Sequence, residues 1–229
     1  MAKNLDSDHL RFAVIAVDVA LFTVRNGELL TRLVHVNRPP HFPDHAALPG
    51  GLVKPDEETI DSIKRILSGK ANISPEKIHL EQLYTFSALD RDPRGRVVSV
   101  AHLGLVPWEH LSEDERADTK ESWWVPIGRA KKLAYDHDSI IKIAKERLCS
   151  RVTYTTLIRA LMPKEFTLTE LEYMYESILG TQLDKRNFRK KIFKLDILTV
   201  LPKKRTGGKF RPAQLYRFAS KKVVNIEVL

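Results

Sequence analysis

Residues 50–73 read GGLVKPDEETIDSIKRILSGKANI. A glycine pair opens the stretch, Asp56, Glu57 and Glu58 follow, and Ile60, Ile63 and Leu67 recur at the spacing of one buried helical face. This pattern predicts a loop that turns into a helix over about residues 55–68, with Gly69 as its C-terminal stop. A loop and helix of this kind bring carboxylates toward a cation, yet no carboxylate follows Asp61 in the stretch. Acids in the first turn and Lys64, Arg65 and Lys70 at the far end also suit the helix dipole with no chemistry at all.

The segments around it read as strands. Residues 11–24, RFAVIAVDVALFTV, are β-branched and apolar, and Asn26-Gly27 supplies the positive φ angles of a tight hairpin before LLTRLVHV resumes. RPPHFPDHAALPGG, residues 38–51, is rich in Pro and Gly and reads as a loop. QLYTFSAL and RVVSVAHLGLV flank the polar turn Asp90 to Gly95, and DSIIKIAKERL forms a further helix with Asp138 as its N-cap. Strands interleaved with two helices indicate an α/β domain over residues 1–148.

The chain has 229 residues, 43% of them hydrophobic and 29% charged, which suits a globular fold rather than a disordered one. Cys149 is the only cysteine, so an intramolecular disulfide and a thiolate zinc cluster are both excluded, and a reducing cytoplasm is expected. MAKNLDSDHL lacks the apolar core of a signal peptide, and the apolar stretch 12–24 is too short to span a bilayer and is interrupted by Asp18. No membrane association is expected. The net charge of +9 is segregated: residues 151–229 carry 17 basic and 7 acidic side chains, an excess of +10, whereas the rest is close to neutral. Such segregation points to a polyanion-binding module attached to a neutral domain.

Residues 149–229 fit that module. TYTTLIRALM reads as a short amphipathic helix, Thr167-Leu168-Thr169-Glu170 has capping-box spacing before LTELEYMYESIL, and Gly180 closes that helix. A third helix over about 184–195 buries Phe188, Ile192 and Leu195 on one face. LTVL, the turn PKKRTGGKFRP and AQLYRF form a hairpin with a basic tip. Three helices followed by a hairpin make a winged helix-turn-helix. Lys185, Arg186, Asn187, Arg189 and Lys190 stand where base readers and phosphate clamps belong, and Lys203, Lys204, Arg205, Lys209 and Arg211 can reach flanking phosphates or the minor groove. Between Lys185 and Arg217 the only acid is Asp196, which argues against a mixed solvating surface. Double-stranded DNA is the expected partner, because no aromatic stacking platform for single strands is visible. A winged helix that docks another protein is the competing reading.

The opening stretch resembles the Nudix box, G-x5-E-x7-R-E-U-x-E-E-x-G-U with U a large aliphatic residue. Gly51, Glu57, Arg65, Leu67 and Ile73 match it; Ile66, Gly69 and Lys70 stand where glutamates belong, and Asn72 where the late glycine belongs. Positions 66, 69 and 70 share a helical face, and in the Nudix enzymes that face offers carboxylates to magnesium, so hydrolysis is not expected. With DRDPRGRVVSVAHLGLV at 90–106, LAYDHDSIIKIAKERL at 133–148 and the C-terminal winged helix, essentially the whole chain is similar to the Nudix-related transcriptional regulators. It departs from their common pattern at Ala46, where a Trp often stands.

The resemblance implies a Nudix-like sandwich, a mixed sheet flanked by helices, joined to the winged helix. It implies an operator-binding homodimer, a repressor in the main reading, and no catalytic residue, metal or cofactor. The effector implied is ADP-ribose or a related nucleotide controlling NAD metabolism, or a sugar controlling catabolic genes. Arg38, Asp90, Arg91, Arg94 and Arg96 border the cleft of that fold and, with Glu57, are the candidate ligand residues: arginine forks suit a diphosphate and an acid suits a ribose hydroxyl. The same 90–96 turn reads equally as a charge-paired hairpin that only sets register. The alternative function is a pyrophosphohydrolase acting on ADP-ribose-like substrates with displaced acids such as Glu57, Glu58 and Asp61. His41 and His45 have no third firm ligand and are not expected to bind metal. His137 reads as a capping or interface residue, and Trp108, Trp123 and Trp124 as core or interface aromatics.

Overall fold

A computed structural model describes residues 13–206 and 212–226. Strands β1 (Val14–Arg25) and β2 (Glu28–Arg38) form the hairpin the sequence predicts, with Asn26 and Gly27 at φ 50° and 81°. The stretch read as a loop holds two strands instead, β3 (Phe42–Ala47) beside β2 and β4 (Gly50–Leu52) beside β1. Neither alternates in hydrophobicity. β3 lies at the sheet edge, where Pro43 removes no ladder hydrogen bond that matters, so the proline signal did not exclude a strand.

The helix of the opening stretch, α1 (Thr59–Ile66), is shorter than expected. Asp56, Glu57 and Glu58 precede it, and the acid in its first turn is Asp61. Nor does Gly69 end it: the chain continues through a π-helical turn, Leu67–Ala71, and stops at Asn72, whose φ is 53°. Asparagine tolerates the left-handed conformation, so Asn72 does the work of the glycine it replaces. Arg32, fully buried, donates to Ala71 O at 3.1 Å and to Ser122 Oγ at 2.8 Å, which pins the end of that turn.

β5 (His79–Phe86) and β6 (Val97–Leu105) follow, then a one-turn α2 (Glu113–Arg116) and β7 (Ser122–Pro126). The seven strands form one mixed sheet in the order β3-β2-β1-β6-β5, with β4 on β1 and β7 on β2; β1 and β6 run parallel. On β1, Val17, Val19 and Leu21 pack toward Ile63, Ile66 and Leu67 of α1 and its extension. Ala20, Phe22 and Val24 join the cluster containing Ile140, Ile141 and Ala144 of α3 (His137–Tyr154). Each of the Val, Leu, Ile and Phe side chains among these contributes roughly 1.5–3 kcal/mol by burial. Asp18 belongs to the second face.

α3 is six residues longer than the predicted helix end at 148, so the expected division between 148 and 149 falls inside it. Asp138 is not its N-cap; Asp136 holds that position, and Asp138 accepts from Leu133 N instead. The helix predicted for TYTTLIRALM is absent: α3 ends at Tyr154, Thr155 is extended, and a 3-10 turn covers Thr156–Ala160. The Thr155 hydroxyl donates to Arg151 O at 2.7 Å and accepts from Leu157 N, so it competes with the helical ladder. Next come α4 (Leu168–Leu179), with its Thr167–Glu170 capping box and Gly180 stop as predicted, α5 (Lys185–Lys194), and the hairpin β8 (Leu198–Arg205) and β9 (Ala213–Phe218).

One apolar cluster runs from the sheet through α3 into the winged-helix elements, including Leu148, Val152, Tyr175, Ile178 and Phe188. At the other contact, the Tyr173 hydroxyl of α4 lies so close to Gly27 that a Cβ there would overlap it. No helix of the described residues is long and apolar enough to cross a membrane.

Candidate functional site

A cavity of about 400 Å³ opens between β1, β2, β4, the π-helical turn, the β5–β6 turn and the start of α3. Its floor is a buried polar network. Asp18, 4% exposed, accepts from Ser99 Oγ at 2.6 Å and from Arg91 at 3.2 Å, and lies 3.3 Å from His137 Nε2. His137 Nδ1 accepts from Leu48 N at 2.9 Å, which leaves Nε2 as the nitrogen carrying hydrogen toward Asp18. Arg91 also grips Asp136 with two bonds of 3.0 and 2.7 Å. Burial alone would push the Asp18 carboxyl up, but His137, then Ser99 and Arg91, hold it below the usual carboxylate value.

Cations line the mouth. Lys70 Nζ donates to Gly50 O at 2.7 Å. Its ammonium is crowded by protein atoms although much of the residue is exposed; that crowding, then the Arg38 guanidinium, lowers its pKa. Arg38 borders the cavity and makes no ion pair among the described residues. Arg94 borders it too, forked onto Asp92 at 2.9 and 2.7 Å with its guanidinium 5.4 Å from the Tyr135 ring centroid. Arg38, Arg91 and Arg94, three of the residues proposed from the sequence, line this one cavity. Asp90 and Arg96 do not: Asp90 is exposed outside the cavity, and Arg96 donates to the Ser87 and Ala88 carbonyls. Asp18, Lys70, Tyr135 and His137 also line the cavity, beyond the residues that the sequence offers as ligand contacts. The signal for Asp18 was available, since a carboxylate inside an apolar strand requires a partner.

Glu57 lies outside the cavity as well. Its carboxylate takes two bonds from Arg65, at 2.5 and 2.7 Å, and one from Ser62 at 2.6 Å, clamping the loop onto α1. Arg65 first, then Ser62, lower the Glu57 carboxyl from 4.5 to about 2. Because the folded-state value is depressed, the clamp contributes fully above about pH 4.5 and is lost as pH falls toward 2. Denaturation at stepped pH is expected to show stability declining through that window, and declining less steeply in Glu57→Gln. Equal slopes would mean that this pair does not hold the loop.

The magnesium of the Nudix enzymes does not fit these residues. Ile66 is buried in the core, Gly69 has no side chain, Lys70 holds the Gly50 carbonyl with a positive charge, and Glu57 is engaged by Arg65. Among the described residues no three His, Cys, Asp or Glu side chains group as metal ligands. His45 bonds the Pro43 carbonyl, and Asp44 bonds His35.

A second charged surface lies on α5 and β8. Arg186, Asn187 and Lys190 are exposed on α5, and Lys204 is exposed on β8. The Asp184 side chain caps α5 by accepting from Asn187 N at 2.7 Å. Acids from outside the basic segment face the remaining cations: Glu172 is 3.6 Å from both Lys185 and Arg189, Glu165 is 2.7 Å from Lys203, and Glu170 pairs with Arg205. Lys209 and Arg211 lie outside the described residues.

Comparison with known proteins matches the regions that carry both surfaces. A family model described as the NUDIX domain matches residues 14–143, and one described as the NrtR DNA-binding winged helix domain matches residues 158–218. The ADPR responsive transcriptional repressor NtrR of Acinetobacter baylyi is 36% identical over 210 residues, which are 90% of this chain and 82% of that protein. The crystal structure of Shewanella oneidensis NrtR complexed with a 27mer DNA is similar with a TM-score of 0.77 at 30% identity, covering 89% of this chain and 93% of that one. The NUDIX domain of the Shewanella protein complexed with ADP ribose has a TM-score of 0.53 at 30% identity, covering 63% of this chain and 94% of that one. With a Nudix domain, a C-terminal winged helix and similarity along nearly its whole length, this chain belongs to the family of Nudix-related transcriptional regulators.

Proposed function

We propose that the protein is a cytoplasmic, homodimeric transcriptional repressor that binds operator DNA through α5 and the β8–β9 hairpin. Its Nudix-like domain binds ADP-ribose, or a close nucleotide relative, without hydrolysing it, and the bound effector lowers DNA affinity. The observation that carries this reading is α3. Asp136 and His137 at its start are bonded to the cavity floor, and Cys149 near its end donates to Ile178 O of α4 at 3.3 Å. A ligand that draws on Arg91 or Asp18 therefore acts on a helix packed against the winged-helix elements, as effector control requires.

The cavity chemistry supports the choice of effector. Arg38, Lys70 and Arg94 suit a diphosphate, and the Tyr135 ring suits a purine face. The repressor of Acinetobacter is described as ADPR responsive, and the Shewanella domain was crystallised with ADP ribose.

The test is fluorescence anisotropy on the promoter DNA upstream of the gene. Binding is expected to weaken steeply with salt, and ADP-ribose is expected to release the DNA. Lys70→Glu is expected to weaken ADP-ribose binding about 100-fold, the scale of losing a charge-assisted contact and adding repulsion, while leaving DNA affinity unchanged. DNA binding indifferent to ADP-ribose would remove the effector assignment. Magnesium-dependent turnover abolished by Glu57→Gln would replace it with pyrophosphohydrolysis.

A further inference from the structure

Glu172 is the buried acid of α4. It is 2% exposed, and neither carboxylate oxygen has a hydrogen-bond partner among the described residues. A carboxylate in that position is costly unless charge compensates it. The compensation comes from α5, where Lys185 Nζ and an Arg189 terminal nitrogen each lie 3.6 Å away, close enough for attraction and too far for a hydrogen bond. The same terminal nitrogen, Arg189 Nη2, donates to Thr169 Oγ1 at 3.2 Å, and the Nε is buried without a partner among the described residues. Two cations of the proposed DNA surface are thus held against α4 by one negative charge.

We infer that Glu172 is a specificity-determining residue of the DNA interface, acting by positioning Lys185 and Arg189. With Nη2 held against α4 and Nε buried, the planar guanidinium is fixed in orientation and has Nη1 left to present to a base edge. A base edge that meets the guanidinium where it stands is read without disturbing the pair. A loosely placed phosphate is reached only by swinging the cation away, which leaves Glu172 buried and uncompensated. The acid therefore disfavours sequence-independent binding more than it disfavours the matched site.

The inference rests on the DNA-binding function proposed above, and the test separates the two. The specific probe is the duplex that wild-type protein enriches from a random library; the reference is a scrambled duplex of the same composition. In Glu172→Gln, affinity for the scrambled duplex is expected to rise, with a salt dependence about one to two units steeper on the logarithmic plot. The ratio of specific to scrambled affinity is expected to fall about tenfold, the scale of one lost base contact. Thr169→Val, at an exposed helix position, is expected to lower the ratio in the same direction with an unchanged melting temperature.

Equal gains on both duplexes would make Glu172 a uniform electrostatic brake and overturn the inference. So would equal losses accompanied by a lower melting temperature and no change in Thr169→Val, which would mark a packing role. If wild-type protein binds neither duplex, the DNA-binding function itself fails and this inference goes with it.

Discussion

Reversing charge at Arg186, Arg189 and Lys190 to glutamate is expected to lower affinity for promoter DNA by at least about a thousandfold and to flatten its salt dependence by about three units. Each of the three stands on α5, a helix capped by Asp184 and anchored by buried Phe188 and Ile192, so the outward charges can change while the apolar face stays. Arg189 needs a control, because a glutamate there would face Glu172. The Arg186→Glu, Lys190→Glu pair alone should still cost about a hundredfold with an unchanged melting temperature. ADP-ribose binding, followed by thermal shift, should survive all three changes. Triple-variant affinity within tenfold of wild type would rule out α5 as the DNA-reading element, and loss of partner-protein capture in its place would identify a docking module.

Replacing Arg91 should have the largest effect on stability. The guanidinium is buried and compensates both Asp18 and Asp136, so Arg91→Ala leaves two carboxylates without their cation. Removing one partner of a buried charge cluster costs roughly 3–5 kcal/mol, which for a chain of this size is a fall in melting temperature of roughly 10 °C. Asp18→Asn in the same chain should recover part of that loss, because it removes one uncompensated charge and keeps the Ser99 and His137 contacts within reach. Calorimetry on both variants is the measurement. A loss below about 1 kcal/mol in Arg91→Ala would contradict the buried-cluster account. At temperatures where the variant remains folded, it should bind promoter DNA yet respond less to ADP-ribose.

What the chain discloses follows from where the physics is local. The β1–β2 hairpin, the Thr167–Glu170 capping box, the Gly180 stop and the buried face of α5 each depend on residues within one turn or one alternating run. Those are readable. β3 and β4 are strands because β2 and β1 offer them hydrogen-bonding edges, a property of their neighbours rather than of RPPHFPDHAALPGG. The cavity divided along the same line. Three lining arginines are legible because an arginine is a candidate for phosphate wherever it occurs, whereas Asp18 and His137 meet only after β1 and α3 pack together. The basic segment from Lys185 to Arg217 looked uncompensated because its acids lie earlier in the chain, at Glu165, Glu170 and Glu172. In the sequence Lys70 stands where the Nudix pattern has a glutamate, and the structure adds where its charge goes, onto the Gly50 carbonyl.

The length of α3 turns the connection between the two domains into a matter of phase. A flexible linker tolerates an inserted residue at small cost, because the ends find each other again. A continuous helix does not: each inserted residue turns everything beyond it by about 100° around the helix axis and moves it about 1.5 Å along. Between His137, docked on the cavity floor, and Cys149, docked on α4, the register is set at both ends. Exposed side chains of α3 can change one at a time, but lengthening or shortening the helix by a single residue turns the winged-helix elements away from their present packing against the sheet.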